Sequence, residues 1–187
     1  MEVVSAGGTG TFDLTGRYPG VTELQAGSYV FMDSSRTDLV PDFAVGLTVL
    51  ATVISRHRTT VVLDCGKKTV GVDFAPPRIV GEAARVRYVS EEHTVFDVDS
   101  GCGLEPGQRV ELIPSYCPTT INLHDVYYVV QDGVVVDIWP VLARGSGRGG
   151  WYEQVFRQGG ARDGLGAGDR TGDGRAVCGG GGEGVRP

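Results

Sequence analysis

The chain has no Cys-x-x-Cys pair, and no apolar run approaches the ~20 residues needed to cross a bilayer. It has neither a basic apolar leader at Met1-Glu2 nor a basic stripe anywhere. Each lack narrows the reading. Four widely spaced cysteines (Cys65, Cys102, Cys117 and Cys178) without a secretion signal point to reduced thiols in a soluble, cytoplasmic protein. A net charge of −6 with mixed signs leaves nucleic acid and membrane as unnatural partners. The arginines near the C-terminus have only Trp151, Tyr152 and Phe156 among them, and most lie outside Arg-Gly-Gly units, so an RNA-binding reading is weak. Helical periodicity is nearly absent, which argues against a helical bundle.

What is there divides in two. Residues 145–187 hold 16 of the 30 glycines, few apolar residues and no period. Such a segment cannot bury enough surface to offset its ordering entropy and is expected to be a disordered tail. Before it, β-branched runs alternate with turn signals. Residues 27–33 read as a strand entered through a glycine turn, and 34–43 as a polar loop with one helical turn. Residues 44–55 are the strongest strand, with Gly46 as a candidate bulge. A turn at 56–58 leads to a partner at 59–65, followed by strands at 69–74, 84–90, 94–98 and 109–113. Asp132-Gly133 between 127–130 and 134–138 is a strong hairpin signal. Short strands with frequent turns predict a mainly β, antiparallel barrel or sandwich domain.

Ahead of it stands Val4-Ser-Ala-Gly-Gly-Thr-Gly-Thr11. Val3 and Val4 read as the end of a buried strand. Gly7, Gly8 and Gly10 let backbone approach an anion, and Thr9 and Thr11 add hydroxyls. Such a loop after a strand can form a nest of N–H groups for a phosphate.

These segments together resemble the C-terminal part of the fold-type III, alanine racemase-like pyridoxal-phosphate enzymes, specifically the D-threonine aldolase and D-serine dehydratase-like group. The resemblance is carried in order by residues 5–11, 21–33, 52–55, 91–93, 112–115, 122–125 and 137–140. It implies that residues 1–27 are a remnant of the last strand of a (β/α)₈ barrel with its phosphate loop, Gly7, Gly8, Thr9, Gly10 and Thr11 being cofactor-binding. It implies a D-serine dehydratase-like β domain over 28–144, with 145–187 as tail. On this alignment residues 5–11 sit on an exposed arm beside the β domain. The chain's only lysines, Lys67 and Lys68, fall in a β-domain turn, so neither is the imine-forming lysine and no catalytic residue is assigned.

The resemblance also implies a divalent metal such as zinc, held by a His and, two positions later, a Cys or Asp between a Pro and an Asn-Leu pair. Here that stretch runs from Pro114 to Leu123 and places Tyr116 and Pro118 at the ligand positions, with Cys117 between them. Cys117 is a ligand candidate only after a one-residue slip, with His124 as a strained alternative partner; a small buried side chain is the plainer reading. Tyr116 either fills the vacated position or packs. Glu91-Glu92-His93 is a solvated hairpin turn or a loop lining the parent site. His57 reads as a surface residue, Cys65 and Cys102 as structural, and Trp139 as core. Tyr29 and Asp33 pack or reach the cofactor cleft.

Three functions follow as expectations. One is the C-terminal portion of a D-amino-acid lyase, inactive alone and contributing half an active site where another polypeptide supplies the barrel. The second is a non-catalytic interaction module that pairs with itself, as a homodimer, or with a full-length relative, and the third a gene fragment.

Overall fold

The computed structural model describes residues 3–142 and 144, together with the backbone of 174–179. The frame is a mainly antiparallel sheet curled into a nearly closed barrel, as expected. Its spine is β3 (Leu47–His57). Along it Leu47, Val49, Ala51 and Val53 face inward, the period-2 alternation that a half-buried strand requires. β3 is long enough to pair with several neighbours. It is antiparallel to β4 (Thr60–Leu63) at its far end and to β8 (Arg109–Ile113) in its middle. β4 continues to β7 (Thr94–Val98) and then to β6 (Ala84–Val89). β8 continues to the two-residue β5 (Arg78–Ile79), which lies against β6 and nearly closes the circuit. Phe96, Val61, Leu63, Leu112 and Val70 fill the interior with no exposure. Burying a side chain such as Phe96 contributes roughly 1.5–3 kcal/mol.

The second hairpin is β9 (Val126–Gln131) and β10 (Val134–Pro140). Asp132 and Gly133 have φ of 51° and 76°, the left-handed pair that a two-residue hairpin turn demands. β10 is an edge, with Val134, Val135, Val136 and Ile138 more than half exposed.

Five expectations about the fold need correction. Residues 27–33 are not a strand: they form a single 3-10 turn (Ser28–Val30) leading to Met32 at φ 54°. Residues 69–74 hold no strand; Thr69 and Val70 turn back onto the carbonyl of Gly66. The bulge in β3 falls at Ile54, between Val53 and Ser55, and not at Gly46. Gly46 instead lets the chain pass Val30, whose carbonyl would lie 3.2 Å from any Cβ there.

The tail is the fourth, at residues 174–179 alone. The backbone of Gly174–Gly179 forms a strand, β11, inserted between β3 (parallel) and β9 (antiparallel). Unpaired N–H and C=O groups along two neighbouring strands can recruit a segment through its backbone, a driving force that composition does not register. Residues 145–173 and 180–187 lie outside the described ones.

The N-terminal part holds two short parallel strands, β1 (Ser5–Ala6) and β2 (Glu23–Leu24), joined by a 3-10 turn (Thr9–Thr11) and α1 (Phe12–Thr15). Strands of two residues leave no periodic trace, so β2 was invisible in sequence. Val3 and Val4 are exposed and do not end a buried strand. The expected exposed arm is only partly so: Gly7, Gly10 and Thr11 are exposed, Ser5, Ala6 and Gly8 are half-buried, and Thr9 is buried.

Candidate functional site

Two structures meet around the segment 28–36. The first is the Gly/Thr loop. Gly7 has φ 76°, and a Cβ on it would lie 2.7 Å from Thr15 Oγ1, so glycine is needed for conformation and for space. At Gly8 and Gly10 an added Cβ would meet only open space. The Thr11 N–H donates to the Gly8 carbonyl at 3.1 Å, and the Gly8 N–H donates to Thr11 Oγ1 at 3.3 Å. Among the described residues, the N–H groups of Thr9 and Gly10 make no hydrogen bond. Thr9 is buried, and its Oγ1 accepts the Tyr29 N–H at 3.1 Å. Its hydroxyl therefore pins the loop to the β domain. Phe12, Tyr29 and Phe43 extend this contact, with ring centroids 5.1 Å (Phe12–Phe43) and 5.6 Å (Tyr29–Phe43) apart.

The second is the packing of Met32-Asp33-Ser34 on the stretch 114–124. The Ser34 N–H donates to the Pro114 carbonyl at 2.9 Å, and the Cys117 thiol to the Met32 carbonyl at 3.0 Å. Ser115 Oγ accepts the N–H groups of Phe74 and Ala75. Thr120 Oγ1 accepts the Gly71 N–H at 3.0 Å and donates to the Tyr116 carbonyl. His124 is 1 % exposed; its Nε2 bonds the Thr69 carbonyl at 2.7 Å, while Nδ1 is buried without a partner among the described residues. Met32 is wholly buried in a left-handed conformation, which an unbranched non-glycine residue adopts only when its surroundings fix it.

At the rim of this packing, Asp33 is fully buried and paired with Arg36 at 3.0 Å. Ser35 Oγ also donates to Asp33. The Arg36 guanidinium lies 5.5 Å from the Tyr116 ring centroid, and Phe74 meets that ring edge-on at 4.9 Å. Arg78 grips Asp38 with both guanidinium nitrogens, at 2.8 and 2.6 Å, tying the turn to β5. These hydrogen bonds and the adjacent charge hold the Asp38 carboxyl below the usual carboxylate range.

The donors in 114–124 do not form a metal site. Pro118 is an exposed residue at the start of α2 (Cys117–Ile121) and has no side-chain donor. Tyr116 is engaged through its ring, Cys117 through its thiol and His124 through Nε2. Among the described residues, no group of three or more His, Cys, Asp or Glu could hold an ion. Cys117 as a metal ligand therefore does not fit the structure, because its proton is spent on a buried carbonyl.

Other predicted positions resolve plainly. Glu91, Glu92 and His93 form an exposed turn, closed by the Ser90 N–H to the His93 carbonyl and docked on Gly66, where a Cβ would lie 2.5 Å from His93 N. Lys67 and Lys68 are exposed in the adjoining turn; Lys68 pairs with Glu92, which raises its pKa. His57 is exposed at the end of β3. Cys65 is buried, and desolvation pushes its thiol up to about 11. Cys102 is half-buried, 3.7 Å from a Glu82 oxygen. Trp139 is half-buried with its Nε1–H on Asp137, so it is not core. Asp33 faces inward, while Tyr29 is 46 % exposed and packs on Phe43. Arg36 and Ser115 were missed; the Asp33–Arg36 spacing of three was the available signal for the first.

Residues 46–130 match the family described as "Putative serine dehydratase domain". A D-threonine aldolase of Arthrobacter sp is 40 % identical over 154 residues, which cover 79 % of this chain and 41 % of that protein. The crystal structure of D-threonine aldolase from Filomicrobium marinum superposes with a TM-score of 0.72 at 33 % identity, covering 78 % of this chain and 42 % of that one. An uncharacterized protein of Mycobacterium tuberculosis (strain ATCC 25618 / H37Rv) is 37 % identical over 114 residues, covering 54 % of this chain and 86 % of that protein. The chain spans about two fifths of the length of the aldolases it matches. With the fold, the order of motifs and these relatives in agreement, the chain belongs to the D-threonine aldolase and D-serine dehydratase-like family and corresponds to the C-terminal part of its longer members.

Proposed function

We propose that the chain supplies the phosphate loop and the adjoining β domain of a pyridoxal-phosphate-dependent D-amino-acid lyase site, and that the imine-forming lysine comes from outside these 187 residues. The observation that carries this is the loop after β1. Gly7 turns it, Gly8 and Gly10 leave its face open, and two consecutive N–H groups, at Thr9 and Gly10, are unspent among the described residues. That arrangement suits a phosphate. Gly7, Gly8, Thr9, Gly10 and Thr11 would hold the cofactor's phosphate, Thr9 keeping the loop in register with Tyr29. When bound, pyridoxal phosphate supplies an electron sink for charge developing on the substrate. The substrate class, a 3-hydroxy-D-amino acid, is carried over from the aldolases above. No step is assigned to a metal, since the residues at 116–118 do not fit one. Lys67 and Lys68 stand in a turn that contacts Glu91 and Glu92, not the loop.

Amide-resolved NMR tests the reading. Pyridoxal phosphate should shift Thr9 and Gly10 saturably and pyridoxal should not; equal responses would refute it. A second reading, a stand-alone interaction module, is favoured by the Mycobacterium tuberculosis relative, most of whose length is this domain, and by the exposed apolar edge of β10. A chain silent to the phosphate in this titration fits that second reading.

A further inference from the structure

We infer that Arg36, laid over Tyr116 and anchored by Asp33, is a metal-independent binding position for the carboxylate of a small organic acid. The inference extends the lyase reading to the group that would seat the substrate's acid end. It rests on four observations. Only Nη1 of Arg36 is spent, on both Asp33 oxygens at 3.2 and 3.0 Å and on Ser35 Oγ at 2.9 Å. Among the described residues, its Nε and Nη2 make no hydrogen bond, nor does the Tyr116 hydroxyl. The Arg36 side chain is 26 % exposed, so it is in contact with solvent. Finally, the guanidinium is held between a buried carboxylate and an aromatic face, so its rotamer is set before any ligand arrives.

Nε and one Nη of arginine form a planar fork that matches the two oxygens of a carboxylate. A free surface arginine would lose rotamer freedom on binding; this one has already lost it to Asp33 and Tyr116. Asp33 offsets the charge of Arg36 but, being buried behind Nη1, does not occupy the fork. We take the Tyr116 hydroxyl, on a ring braced by Phe74, as a second donor to the ligand. Lysine could satisfy Asp33 as a point charge but could not present the fork, so the site depends on arginine for more than its charge.

The probe is malonate, titrated into the whole chain by NMR and calorimetry, with EDTA present and pyridoxal phosphate absent. Leaving the cofactor out lets this inference and the phosphate-loop reading fail separately. Malonate should shift the Arg36 side-chain N–H and Tyr116 ring signals saturably, with or without EDTA. Arg36→Lys, which keeps a cation opposite Asp33, should bind at least about tenfold more weakly. Tyr116→Phe, which keeps the packed ring, should bind a few-fold more weakly. Thermal unfolding of both variants confirms that they are folded. Absence of a saturable shift, wild-type affinity in Arg36→Lys, or loss of binding with EDTA would each overturn the inference.

Discussion

The thiol of Cys117 donates to the carbonyl of Met32 at 3.0 Å across 85 residues of sequence. This bond closes the packing between the segment before β3 and the stretch after β8, and it fixes a residue at positive φ. Cys117→Val fills the site but leaves the buried carbonyl without that donor. It should cost about 1–2 kcal/mol in urea denaturation, and Cys117→Ser, which keeps a donor, should cost less. Neither change should alter the response of the melting temperature to zinc, because the thiol is not a ligand.

Thr9 does for the Gly/Thr loop what Cys117 does for the stretch 114–124. Thr9→Val removes the acceptor of the Tyr29 N–H and should free that amide to exchange with solvent at a rate set by opening of the arm. Pyridoxal phosphate affinity should fall several-fold while the global urea midpoint barely moves, since the arm lies outside the core. Hydrogen exchange at Tyr29 read beside the denaturation curve checks both halves.

Burial raises the Cys65 thiol from 9.0 to about 11, and a hydrogen bond from Thr69 only partly opposes this. Below pH 9 the thiol is protonated in both folded and unfolded chains. Between 9 and 11 the unfolded chain loses its proton first, so stability must fall as pH rises through that window. Cys65→Ala should lose this slope relative to wild type. In the native protein iodoacetamide should label half-buried Cys102 well before Cys65 or Cys117.

The barrel strands of four residues or more were legible because they alternate: Arg109–Ile113 and Thr94–Val98 fall where the pattern puts them, and Asp132-Gly133 announced its hairpin, whereas the two-residue β5 left no trace. What failed was set by tertiary contact. Residues 27–33 carry strand-like residues, yet the chain is bent there by the Cys117 and Pro114 bonds from far along the sequence. β11 forms by adding backbone to β3 and β9, which leaves no compositional mark. At the site, the glycines of the loop could be read, since their role is conformational. That Thr9 turns inward, and that Arg36 stacks on Tyr116, depends on which segments meet, and no local spacing records it.

The most direct test is to incubate the 187-residue chain with pyridoxal phosphate, reduce it with borohydride, and map the pyridoxyl group by peptide mass spectrometry. The only lysines are Lys67 and Lys68, exposed in the turn beside Glu91 and Glu92. The account predicts no stoichiometric label on either, and no cleavage of D-threonine by this chain alone. A stoichiometric pyridoxyl group on Lys67 or Lys68 accompanied by turnover would contradict it.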